Sequence, residues 1–150
     1  DVLTSRGLGD VYKRQLLVEV IFNPFEQLGR VQGDPNSWSE DVVSIYSKPV
    51  LESGNSKATL SMMRMVPDGP DHPNALAMRD IEKYVDTLQI PAEIVWGMQD
   101  PILGGGLSAM EAKFPNASVT KTQAGHFLQE EVSTEIANAL IRVIDQIEKK

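Results

Sequence analysis

A chain of 150 residues with 41% hydrophobic and 23% charged side chains has the composition of a soluble globular protein, which argues against disorder, collagen and coiled coil. It holds no cysteine, so disulfides, thiolate metal ligation and a cysteine nucleophile are excluded and nothing points to an oxidising compartment. Fourteen Lys and Arg against 21 Asp and Glu give a net charge of −7, which repels phosphate backbones and anionic membranes and counts against a nucleic-acid partner, and no apolar run approaches the roughly 18 residues of a membrane span.

Residues 1–15, DVLTSRGLGDVYKRQ, show neither the apolar core of a signal peptide nor the periodicity of a helix or strand. Ser5 to Gln15, SRGLGDVYKRQ, can be back-translated into eleven consecutive codons that resemble a transposase-based sequencing adapter read in frame. The segment is therefore expected to be adapter-derived rather than a flexible basic tail, and the true N-terminus to be missing. It carries Arg6, Lys13 and Arg14 against Asp1 and Asp10, so the remainder is one charge more acidic.

Leu16 to Phe22 (LLVEVIF) is an apolar run that fits a buried strand or the tail of a helix, and its periodicity does not choose between them. From Asn23 to Pro73 the chain gathers most of its nine prolines, together with Gly29, Gly33, Gly54 and Gly69, which suits short helices joined by turns rather than a regular sheet. Trp38 to Tyr46 reads as one short helix terminated by Pro49, and Lys57 to Val66 as another ended by Pro67. Met62, Met63 and Met65 cluster in the second, either as adaptable core filling or as a malleable lining for an apolar pocket.

Beyond Pro73 the pattern becomes regular. Ala77, Ile81, Tyr84, Val85 and Leu88 recur at helical spacing, with Asn74 as cap and Pro91 at the exit, and predict a surface helix with one buried face. Ala92–Gly97 (AEIVWG) predicts a buried parallel strand. Leu107, Met110 and Phe114 mark a helix after the Gly104-Gly105-Gly106 turn, Ala117–Thr122 a second strand, and Ser133 caps a final helix striped by Ile136, Leu140, Val143, Ile144 and Ile147. The alternation implies βαβ crossover and a parallel sheet, whose chemistry lies outside the carboxyl ends of its strands.

Two residues occupy that position. Asp100 follows the first strand in WGMQDP, and His126 follows the second in QAGHF. If the strands are neighbours, carboxylate and imidazole come within hydrogen-bond reach; a carboxylate on Nδ1–H fixes the tautomer and leaves Nε2 free as general base. Each residue alone has a plainer role, Asp100 as a turn cap and His126 as a structural histidine. Other clusters read as structure. Gly104-Gly105-Gly106 lacks the lysine of a phosphate loop, Asp68, Asp71 and His72 sit in a proline-rich turn short of a metal's ligands, and Glu130 and Glu131 favour a helix dipole more simply than they form an acid/base pair.

The stretch from Pro91 to Ile144 resembles the C-terminal part of an α/β-hydrolase, with WGMQDPIL as the acid turn, KFPNAS closing a helix and AGHFLQEE as the histidine loop. Within that superfamily it is most similar to the haloalkane dehalogenases and their close relatives. The resemblance implies an α/β fold class: the C-terminal portion of an α/β-hydrolase fold, comprising part of a helical cap plus the last two parallel strands and their helices. Residues 16–73 would be cap-like, with YSKP at Tyr46 to Pro49 matching a Tyr-x-x-Pro often found there, and 74–150 would belong to the core.

It also implies that Asp100 is the triad acid, that His126 is the triad base, and that Ile102, Leu103 and Phe127 line an apolar pocket. No nucleophile elbow precedes Asp100: there is no G-x-S-x-G, and neither Ser53-Gly54 nor Gly33-Asp34-Pro35 has the flanking strand and helix. The nucleophile, aspartate in a dehalogenase-like enzyme or serine in an esterase-like one, is expected upstream, and the chain alone is expected to be inactive. The implied partners are a small apolar substrate and water, with no cofactor, metal, nucleic acid or membrane. The setting is read as cytoplasmic and the oligomeric state stays open. A serine esterase or epoxide hydrolase of the same fold, and a non-catalytic ligand-binding relative, are the alternatives.

Overall fold

The computed structural model describes residues 24–53, 61–62 and 64–149. The adapter-like segment, the apolar run 16–22, and residues 57–60 and 63 of the expected 57–66 helix lie outside the described residues. The described residues divide into two units, one holding Leu28–Glu40 and the stretch from Gln89 onward, the other residues 24–27 and those described between Asp41 and Leu88.

The first of these holds the sheet. Strand β1 (Glu93–Gly97) forms where β-branched and aromatic residues stand between Pro91 and Gly97, and β2 (Ser118–Thr122) pairs with it in parallel, from Glu93 opposite Ser118 to Gly97 opposite Thr122. The expected adjacency of the two strands is therefore observed. Hydrogen bonding continues past the strand ends, Met98 N–H donating to Thr122 O at 3.0 Å and Gln99 N–H to Ala124 O at 3.1 Å, so the two exit loops leave the sheet side by side.

Between the strands run the turn Gly104–Gly106 and helix α3 (Leu107–Lys113), numbered after two helices of the other unit, α1 (Glu40–Glu52) and α2 (Ala75–Asp86). Leu107 is buried and Met110 and Phe114 half-buried, as their spacing predicts. The final helix, α4 (Ser133–Glu148), packs on β1. It is pinned there by Glu93, whose side chain is 3% exposed and whose Oε2 receives Arg142 Nε at 2.9 Å and a terminal guanidinium nitrogen at 2.8 Å. Trp38, Ile94, Leu107, Ala124 and Ala139 make up this unit's buried apolar core.

Several local expectations change. Pro49 does not end its helix: α1 runs to Glu52 with Pro49 inside, since a proline in the last turn costs one N–H bond without forbidding helical φ. Trp38 lies outside that helix, closing the short turn Pro35–Ser37. Ser133 is the first helical residue of α4, Val132 holds the cap position, and no side chain caps the end. Asn74 does precede α2, but its side-chain amide donates to Met65 O at 2.8 Å instead of capping.

Apolar faces are less covered than their periodicity predicts. In α2 only Ala75 is buried, Val85 is half-buried, as is Leu88 just beyond its end, and Ile81 and Tyr84 are exposed. In α4, Ile136 and Val143 are half-buried while Leu140, Ile144 and Ile147 face outward. Met62 and Met65 are likewise exposed and fill no core. Amphipathic spacing specifies which face seeks burial; whether something covers it is a tertiary matter. Among the described residues no helix is long and apolar enough to cross a membrane.

Candidate active site

Asp100 enters the site through its turn. Its side chain is 5% exposed, and its Oδ1 accepts the backbone N–H groups of Ile102 at 2.7 Å and Leu103 at 3.0 Å, the Asx-type arrangement that a DP turn invites. With one oxygen fixed by the turn, the other points at His126: Oδ2 lies 3.0 Å from Nδ1. Burial pushes the Asp100 carboxyl up. The hydrogen bond from His126, the two backbone N–H groups and the charge of the imidazole outweigh that, and the group titrates below its ordinary value. The ionised carboxylate only accepts, so the shared proton sits on Nδ1 and Nε2 is the ring's basic nitrogen.

His126 is positioned by the loop that leaves β2. Thr122 Oγ1 donates to Trp96 O at 3.0 Å and accepts Ala124 N–H at 3.3 Å, which turns the chain out of the strand. From there the loop is held by the segment around Gln32. His126 N–H donates to Val31 O at 2.8 Å, and Phe127 N–H to Gln32 Oε1 at 2.9 Å. Gly125 is required at this crossing, because a Cβ there would overlap the Val31 carbonyl and the Gln32 backbone; Gly33 is in the same position against the Gln123 carbonyl. The Phe127 ring meets the imidazole edge-on at 5.1 Å between centroids, and the Trp38 ring lies tilted against Phe127 at 4.7 Å.

Of the residues singled out by sequence, the structure brings Asp100, His126 and Phe127 together. Ile102 and Leu103 reach the site through their backbone N–H groups, with side chains exposed. A surface hollow of about 460 Å³ lies to one side of them, lined by Gly33, Asp34, Ser37, Gln123 and Glu131 among others.

Glu131 departs from its expected part in a helix dipole. Its carboxylate lies ahead of α4 and gathers three backbone N–H groups: Gly33 at 3.0 Å, Asp34 at 2.8 Å and Gly125 at 2.9 Å. Sequence reasoning noticed Glu131 only within AGHFLQEE and as part of a helix-dipole pair, and Trp38 only as the start of a helix, and it passed over Gln32 altogether; none of the three was expected at the site.

The remaining clusters hold structure together. His72 accepts Asn74 N–H on Nδ1 and pairs through Nε2 with Arg64 O, each at 3.0 Å, so both ring nitrogens are engaged within the turn. The Gly104 carbonyl receives the Trp96 indole N–H at 3.0 Å, which ties the triple-glycine turn to β1. No group of three or more His, Asp or Glu side chains among the described residues is arranged to hold a metal.

The sequence is 27% identical to haloalkane dehalogenase 1 of Mycobacterium bovis and Mycobacterium tuberculosis over 99 residues, which cover 64% of this chain and 33% of each relative. It is 26% identical to the haloalkane dehalogenase of Psychrobacter cryohalolentis over 120 residues, 75% of this chain and 38% of that one. The chain is distantly similar to haloalkane dehalogenases. It spans about a third of the length of the relatives it matches, and the helices and two-stranded parallel sheet are compatible with part of an α/β fold. No family model matches the chain, and no solved structure matches it.

Proposed function

We propose that this chain supplies the acid and the base of an α/β-hydrolase triad, with Asp100 as the acid and His126 as the general base, in an enzyme that hydrolyses a small apolar substrate through a covalent ester. The observation that carries this reading is the 3.0 Å contact of His126 Nδ1 with Asp100 Oδ2 at the carboxyl ends of neighbouring parallel strands. The distant relationship to haloalkane dehalogenases favours the dehalogenase-like branch. On this reading the chain corresponds to the C-terminal portion of the fold, with part of its cap.

On this reading the roles are divided among nucleophile, base and acid. A nucleophile oxygen displaces the leaving group from the substrate carbon, forming a C–O bond as the carbon–halogen bond breaks and halide departs. His126 Nε2 then takes a proton from water as the water oxygen attacks the ester carbonyl. Asp100 holds the tautomer and stabilises the imidazolium that forms, and the ester's collapse releases alcohol and restores the nucleophile. The sequence has no G-x-S-x-G, and on this reading the nucleophile is supplied by the complete gene product. Ile102 and Leu103 beside the acid, and Phe127 beside the base, are the apolar side chains proposed to border the substrate.

The test is halide release from a panel of short haloalkanes by the complete gene product carrying these residues, beside its His126→Ala variant. The expected outcome is release that falls by on the order of 10³-fold or more in the variant. Cleavage of nitrophenyl esters without halide release would move the reading to a serine hydrolase of the same fold, and turnover of epoxides to an epoxide hydrolase. Ligand binding without turnover in either form would make the protein a binder.

A further inference from the structure

We propose that Gln32 and Glu131 are positioning residues for His126, clamping the peptide on both sides of the histidine so that its Nδ1 stays on Asp100. The two halves of the acid–base pair are held in different ways. Asp100 is fixed locally, by the N–H groups of Ile102 and Leu103 in its own turn. His126 has no such turn: it lies in the loop between β2 and the short turn Leu128–Glu130. Its orientation depends on what holds that loop.

Three successive N–H groups, those of Gly125, His126 and Phe127, are accepted by three separate groups: Glu131 Oε1 at 2.9 Å, Val31 O at 2.8 Å and Gln32 Oε1 at 2.9 Å. The Gln32 amide also donates through Nε2 to Phe127 O at 3.3 Å, so it grips Phe127 by both its N–H and its carbonyl. Gln32 is itself 7% exposed, and its Nε2 bonds Ser37 Oγ at 3.1 Å, which leaves the side chain little freedom. Glu131 joins the two strips of backbone, because the carboxylate that holds Gly125 also holds Gly33 and Asp34. An ionised acceptor suits three N–H donors better than a neutral one, which gives a chemical reason for glutamate at this position. The direction of the His126 Cα–Cβ bond, and with it the reach of the ring to Asp100, is set by peptides whose N–H groups are taken by Glu131 and Gln32 on either side and by the Val31 carbonyl between them.

The assignment of a catalytic purpose to this clamp rests on the proposed function; the clamp's effect on the histidine does not, and it is read without turnover. The probe is nuclear magnetic resonance of the ¹⁵N-labelled 150-residue chain, in which His72, held by Asn74 and Arg64, serves as the second and control histidine. In Gln32→Leu and in Glu131→Gln, the His126 Nδ1–H proton is expected to exchange with water at least about tenfold faster and to lose its hydrogen-bonded shift, with His72 unchanged. A purely structural role would lower the melting point and leave the Nδ1–H signal of the folded molecules as it was. A parent-like signal in folded variants overturns the proposal. Should both variants fail to fold, Ser37→Ala, which removes the hydroxyl that accepts from Gln32 Nε2 and donates to Asp34 O, decides the matter: faster Nδ1–H exchange supports the clamp and parent-like exchange overturns it. Absence of turnover in the complete gene product, with the Nδ1–H signature still sensitive to the clamp, would remove the hydrolase reading alone.

Discussion

The Asp100 carboxyl stands between opposing influences, and their balance has a measurable consequence. Burial favours its neutral form, while His126 and the N–H groups of Leu103 and Ile102 favour the charged one and prevail. A carboxyl whose folded value lies below its unfolded value of about 3.9 adds stability that is complete above that value and is lost as pH falls through the lowered one. Asp100→Asn is therefore expected to destabilise the chain by about 2 kcal/mol at pH 7, a gap that closes on acidification below pH of about 4. Urea unfolding of both forms across the acid range checks this, and a gap that stays constant with pH would remove the charge from the explanation. Asp100 and His126 were legible in the sequence because each lies a few residues beyond a strand whose composition identifies it. Gln32 was not, since nothing within its own neighbourhood tells a buried clamp from an exposed polar residue.

At the scale of elements, the contact of α4 with β1 is decided by one buried acid. Glu93 opens β1 with a side chain that is 3% exposed, and Arg142, 43% exposed, reaches down from α4 to meet it. Removing the cation leaves a carboxylate out of water, so Arg142→Met is expected to cost about 3 kcal/mol, while Glu93→Gln with Arg142→Met recovers part of it. Thermal or urea melts of the three variants measure the coupling; a double variant no more stable than Arg142→Met would argue that the pair's charge is unimportant. Sequence patterning located both elements, since Glu93–Gly97 and Ser133–Glu148 fall within the strand and helix it predicts. It did not reveal the ion pair, whose partners lie 49 residues apart with no periodicity linking them.

Over the whole molecule, the notable feature is apolar surface left in water. Leu140, Ile144 and Ile147 share a face of α4, and Leu76, Ile81 and Tyr84 are exposed on α2. Contiguous apolar exposure of this kind binds apolar probes. The chain is expected to enhance the fluorescence of an environment-sensitive apolar dye, and Leu140→Lys with Ile144→Lys to lower that signal while circular dichroism stays the same; an unaltered signal would place the dye elsewhere. The sequence by itself determined the two strands, the helices that follow them and the posts of Asp100 and His126, because these depend on periodicity and on composition within a few residues. Only the tertiary structure decided which apolar stripes are covered, and that the N–H groups of Gly33 and Asp34 meet the carboxylate of Glu131, 98 and 97 residues away in the chain. The physical reason is common to both: a contact between distant segments is chosen by the shape and hydrogen-bonding capacity of the two surfaces together, and neither segment carries that information alone.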